Sequence, residues 1–177
     1  TVLNKNEARC FGDNRNGRLG LENMYIGDGP GEMGAALPTL KLGTGLKAVD
    51  VQVLSGGVCA LFSNQKVKCW GRYEVNGAGS STVIGTGLSP LVGDSIPYVN
   101  FGTGANVIKI DSHLNSTCGL LTDGRLKCFG YNSGWQMGYN ATFSSIFGDA
   151  AGEVGDNMQV LNFGAGRKVV DFSVGNT

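Results

Sequence analysis

Cys118 to Gly138 reads CGLLTDGRLKCFGYNSGWQMG, and two weaker copies precede it. Cys59 to Gly79 reads CALFSNQKVKCWGRYEVNGAG, and Thr1 to Gly20 holds a shorter version, TVLNKNEARCFGDNRNGRLG. Superposed, Cys10, Cys69 and Cys128 coincide at a step of 59 residues, as do Gly12, Gly71 and Gly130, and Gly20, Gly79 and Gly138. A fixed period of this size marks a repeat architecture, in which each unit buries its apolar face against its neighbours. The repeats run over residues 1–58, 59–117 and 118–177 of one repeat domain, the first shortened at its start.

Each copy predicts a β-hairpin. From Cys118 the chain alternates through Leu120, turns at Thr122-Asp123-Gly124 and returns through Leu126 to Cys128. An Asp-Gly turn suits a short hairpin loop, because glycine takes the positive φ that closes it. This register sets Cys118 opposite Cys128 and Leu120 opposite Leu126, and in the middle copy Cys59 opposite Cys69 and Leu61 opposite Val67. Alternation puts the cysteines and the apolar pair on one face, with Arg9, Lys68 and Lys127 on the other. Directly opposed cysteines are within disulfide reach, which predicts Cys59–Cys69 and Cys118–Cys128. The partner of Cys10 would be the residue just before Thr1, so Cys10 is expected to be unpaired by truncation, the chain reading as a segment of a longer array.

Thirty glycines with few charges point to many short strands and tight turns, an all-β chain in which four short strands fit the order of each repeat. Fourteen basic and fourteen acidic residues give no net attraction to nucleic acid or an anionic membrane. No apolar run is long enough for a membrane-spanning helix, so neither nucleic acid nor membrane insertion is expected.

Along the chain, Leu37 to Gly43 alternates like a half-buried strand, and Lys47 to Leu54 follows with Val49, Val51 and Val53 on one face. The third repeat is longer by three residues, between Gly138 and Gly155, where Tyr139 to Gly148 reads YNATFSSIFG. A loop that varies between copies is a place for partner contacts. Trp135, Tyr139 and Phe143 are therefore the candidate contact residues. Phe11, Trp70 and Phe129 recur beside the cysteine and are expected to pack between blades. Two sequons, at Asn115 and Asn140, are candidate glycosylation sites and agree with disulfides on an oxidising compartment.

The residues offer little chemistry. Carboxylates near glycines at Asp28 and Glu32, and at Asp149, Glu153 and Asp156, raise calcium, but repeat two breaks the pattern and no EF-hand ladder is present. The cysteine spacing and a single histidine, His113, do not suit zinc or a hydrolase elbow. GTGLKAV and GAGRKVV lack a phosphate-loop pattern and lead into strands. No catalytic residue, metal or cofactor is assigned.

The segments CFGDNRNGRLG, CWGRYEVNGAG and CFGYNSGWQMG, with the endings Leu42-Gly43, Phe101-Gly102 and Phe163-Gly164, resemble the repeats of the regulator-of-chromosome-condensation family. The resemblance covers essentially the whole chain and implies four-stranded blades about an axis, usually seven to a closed propeller. The paired cysteines and Gly-rich insertions look like its secreted, cysteine-bearing branch. Three blades are fewer than normally close a ring, so a longer ring, an open array or filament, or end-to-end copies are all open. The expected function is a non-enzymatic extracellular or cell-surface scaffold for protein interaction, adhesion or surface structure. The alternatives are an intracellular exchange factor or chromatin binder, and a carbohydrate-binding propeller.

Overall fold

The computed structural model describes residues 7–22, 25–84, 93–139 and 146–175. Three antiparallel sheets follow one another along the chain. The first pairs β1 (Gly12–Asp13) with β2 (Tyr25–Ile26). The second orders β3 (Ala48–Val53), β4 (Gly57–Phe62) and β5 (Val67–Gly71), and a four-residue helical turn, α1 (Tyr73–Asn76), follows it. The third orders β6 (Val107–His113), β7 (Ser116–Leu121), β8 (Leu126–Tyr131) and β9 (Ile146–Phe147), and is a complete four-stranded blade. In the second sheet the fourth strand shrinks to one bridge, Gly71 to Ile84, at the place where β9 pairs Gly130 with Phe147.

The outer strand of a blade is thus only a residue or two long, too short to leave a periodic signal. The alternating segment at Leu37 to Gly43 buries Leu40 and Leu42 but forms no strand. A single bond, from the Leu40 N–H to the Ala8 carbonyl at 2.9 Å, ties it to the hairpin of its own repeat. The inner strand of the second and third sheets comes from the repeat before: β3 precedes the middle hairpin and pairs with β4, as β6 does with β7. This offset stitches successive repeats together, since separating them breaks a sheet.

The hairpins have the register read from the sequence: Cys59 faces Cys69 and Leu61 faces Val67, while Cys118 faces Cys128 and Leu120 faces Leu126. Gly124 closes the second turn at φ +87°. The inner strands depart from simple alternation. Pairing passes from Ala48–Phe62 to Asp50–Leu61, and from Val107–Leu121 to Lys109–Leu120, so Val49 and Ile108 are bulged out and exposed. An extra residue in one strand turns the side chains beyond it by one position, which is why Val49, Val51 and Val53 do not share a buried face.

Sheets stack face to face, so the face opposite the cysteines, which carries Lys68 and Lys127 as the alternation sets them, is covered as well. The Lys68 and Trp70 side of the second sheet packs on the first, with Phe62, Ala60 and Val58 meeting Leu19, Ile26, Leu40 and Leu42. Its Cys59–Cys69 side packs on the third sheet, against Val107, Ile110, Leu121 and Phe129. Lys68 and Lys127 lie between sheets and are buried. The expectation for Phe11 is corrected: its counterparts Trp70 and Phe129 are buried, but Phe11 is 56% exposed because no described sheet covers its side of the first blade.

Candidate interaction surface

The two buried lysines hold loops together. The Lys127 ammonium donates to the carbonyls of Phe101 (2.7 Å) and Gly155 (2.9 Å), and the Lys68 ammonium donates to Gly93 (2.6 Å) and Leu42 (3.4 Å). In the first repeat the same place holds Arg9, whose Nη1 donates to the Gly34 carbonyl at 3.0 Å. Burial pushes both lysines below the ordinary ammonium range. Buried Glu74 is paired with Arg72.

The acidic loops have the same kind of task. Glu32 accepts from the N–H groups of Gly27 (2.7 Å), Asp28 and Gly29 (both 3.1 Å), which hold its carboxyl below the usual range. Glu153 accepts from Gly148 N–H at 3.0 Å, and burial raises its carboxyl. The two stretches are copies, GDGPGEMG and GDAAGEVG, and aligning them finds this loop tie. Asp94 binds the N–H and hydroxyl of Thr44 (both 2.8 Å), and Asp156 those of Thr103 (2.9 and 2.7 Å). An aspartate seated in the GTG loop makes it a poor anion cradle, consistent with its leading into a strand. The carboxylates of Glu32, Glu153 and Asp156 are therefore turned toward their own protein.

The structure joins Cys59 to Cys69 and Cys118 to Cys128, with Cα separations of 4.1 and 4.0 Å. Phe62 N–H donates to the Lys66 carbonyl at 2.9 Å, so the cysteine pairs, three positions on, fall at non-hydrogen-bonded sites where the strands come closest. Cys10 carries a free thiol, buried, with its pKa raised by that burial.

The three candidate contact residues separate. Trp135 is 70% exposed and has φ +56°, a left-handed conformation that Gly17 adopts at the corresponding place in the first copy. A bulky residue there is an outlier, and strain of this kind is retained where the side chain has work outside the core. Tyr139 is instead part of the core. It is 5% exposed, its ring meets Phe147 edge-on at 5.1 Å, and its hydroxyl donates to the Cys128 carbonyl at 2.6 Å while accepting from Cys128 N–H at 2.8 Å. The insertion begins with an anchor rather than a contact, because a phenol that reaches the strand backbone closes the edge of the sheet. Phe143 and Asn140 lie outside the described residues. Asn115 is half-buried, and its side-chain oxygen accepts from the Ser55 hydroxyl.

Burial raises the Tyr139 hydroxyl to about 12. Ultraviolet titration is expected to show a tyrosine component near pH 12 that Tyr139→Phe abolishes. The folded value lies above the ordinary tyrosine value of 10.0, so the stability this group supplies is complete below pH 10 and is lost between there and about 12. A Phe variant with an unchanged titration curve would remove this assignment.

Antiparallel sheets stacked in series, the second and third each completed by a strand from the repeat before, define a β-propeller-type repeat protein. No family model matches the chain, and no curated protein matches it. Among solved structures it is similar to human WBSCR16, with 18% identity over 93% of this chain and 37% of that one, at a TM-score of 0.63. It is also similar to yeast RCC1 (Prp20), solved bound to Kap60, with 20% identity over 80% of this chain and 31% of that one, at a TM-score of 0.54. The chain therefore has the RCC1-like repeat fold, and it spans about a third of the length of these two structures.

Proposed function

We propose that the chain is a non-enzymatic, extracellular repeat scaffold whose task is protein interaction. The observation that carries the reading is the contrast between its side chains. Its buried lysines are spent on backbone ties, while Trp135 is displayed in solvent at a backbone position better suited to glycine. Large aromatic side chains of this kind dominate the energetics of protein interfaces. The fold adds support, since yeast RCC1 with the same repeat type is seen bound to a protein, Kap60.

The extracellular part rests on the two hairpin disulfides and the Asn140 sequon. Each bridge closes a loop of about eleven residues and contributes roughly 2–3 kcal/mol on the chain-entropy account. Non-reducing peptide mapping of native material is expected to recover linked Cys59–Cys69 and Cys118–Cys128 peptides and a glycan on Asn140. Free thiols with bare asparagines would overturn that part. They would favour the second reading, an intracellular exchange factor or chromatin binder, which the likeness to yeast RCC1 alone recommends.

A further inference from the structure

Within the chain, each joint between sheets has one form. The cysteine face of one sheet receives the basic and aromatic face of the next, so Phe101, in the loop entering the third sheet, meets Phe129 edge-on with ring centroids 6.0 Å apart. The third sheet presents the same cysteine face again, now as an apolar groove of about 650 Å³ over Cys118 and Cys128, lined by Leu126, Leu161, Phe163 and Phe172. Phe163, the counterpart of buried Leu42 and Phe101, is 52% exposed at its edge. At the other side of the molecule the first sheet presents the matching face, with Phe11 and Met33 exposed where their counterparts Phe129 and Val154 pack into a joint.

The polar groups at these faces are matched as well. At both internal joints an aspartate holds a threonine of the preceding loop, Asp94 on Thr44 and Asp156 on Thr103. The aspartate position of the first repeat is Ala35, and the threonine position of the third is Ala165, both exposed. A first-repeat face without the carboxylate suits a preceding face without the hydroxyl. The third-repeat face of this same chain meets that condition, and a Thr-bearing face would leave its hydroxyl and N–H without the acid that holds them elsewhere.

We propose that the groove over Cys118–Cys128 is the seat for the Phe11 face of a second copy, so that chains join head to tail. Phe163 and Phe11 then repeat the Phe101–Phe129 pair, Ala165 lies by Ala35, and exposed Trp135 belongs to the same interface, since α1, which holds its place in the middle repeat, packs on β8 of the next sheet. The inference rests on reading the chain as a protein-interaction scaffold and names its partner. A heterologous contact of this kind yields a closed ring or a filament according to the rotation per joint.

Sedimentation velocity of the 177-residue chain tests this, using a Cys10→Ser background with both hairpin bridges intact. The mass is expected to rise with concentration up to about 100 μM, a range that covers weak specific encounters. Phe11→Asp and Phe163→Asp alter exposed side chains, and each is expected to weaken association by about 30-fold or more, the effect of a central aromatic contact. Mixed in equal amounts the two variants regain one sound joint and stop at dimers. Should either lose its fold by circular dichroism, Ala35→Asp takes its place: it seats an unpaired carboxylate and weakens association, and adding Ala165→Thr restores it. A parent that stays monomeric, variants that associate as the parent does, or a mixture that behaves as its components separately would each overturn the joint. Monomers with linked hairpin cysteines overturn only the joint, whereas free cysteines in native material overturn the extracellular reading and leave the joint standing.

Discussion

Gly130→Ala is expected to cost about 4 kcal/mol or more, a large fraction of the roughly 5–15 kcal/mol that hold most domains folded. Gly130 sits in β8 at φ +109°, and a Cβ added there would lie 2.1 Å from the Asn115 carbonyl oxygen and 2.9 Å from Ser116 Cα. Both obstacles are backbone, so no rotamer change relieves them, and Asn115 also accepts the Tyr131 N–H bond at 3.0 Å that a shift would break. Gly71 repeats the arrangement at φ +114°, 2.3 Å from the Gly56 carbonyl. The useful control is Gly104→Ala, at φ +67° with no atom within 4 Å of the added Cβ. That change carries only the left-handed backbone penalty of roughly 1–2 kcal/mol. Chemical denaturation of the two variants beside the parent measures the difference, and equal losses would show that close strand approach does not set the requirement for glycine.

These glycines were visible in the sequence as recurring letters, and so was the hairpin register, because a period of two bounded by an Asp-Gly turn admits few other pairings. Disulfide pairing followed from the register. The face that carries the lysines was legible in the alternation, but their burial was not, for a physical reason. Alternation assigns residues to two faces but does not say whether the second face meets water, and stacked sheets cover both. The signal available was the recurrence of a basic residue before each cysteine, Arg9, Lys68 and Lys127, since a surface position has no need to repeat its charge. The bulges at Val49 and Ile108 had no comparable signal, because a bulge is settled by pairing with another strand. Tyr139 was misjudged because its neighbours vary between copies, and its bonds to Cys128 depend on a fold-back that spacing cannot display. At Trp135 the aromatic is plain from the repeat alignment, and only the backbone angle shows that its position is one a glycine would fill more easily.

Lys127→Met is expected to lower stability by about 2–4 kcal/mol. The methionine keeps an unbranched apolar stem but withdraws the donor from the Phe101 and Gly155 carbonyls, and an unpaired buried acceptor costs roughly 1–3 kcal/mol. Against this, the variant no longer has to bury an ammonium, which is why the loss is not the full sum for two acceptors plus a charge. On the scaling for domains of this size the melting temperature should fall by about 4–16 °C. Lys127→Arg should lose less than the Met variant, because Arg9 already fills the same position and reaches Gly34 at 3.0 Å. A pH series separates the ammonium from mere packing. Burial holds the folded lysine below its unfolded value of 10.5, so the unfolded chain binds more protons in that window and parental stability rises with pH as the window is crossed. The rise should shrink in Lys127→Met, leaving the share that belongs to Lys68, and should be distinct from the later loss through Tyr139. A Met variant that melts with the parent and keeps the same pH slope would show that the loops around Phe101 and Gly155 hold together without the lysine.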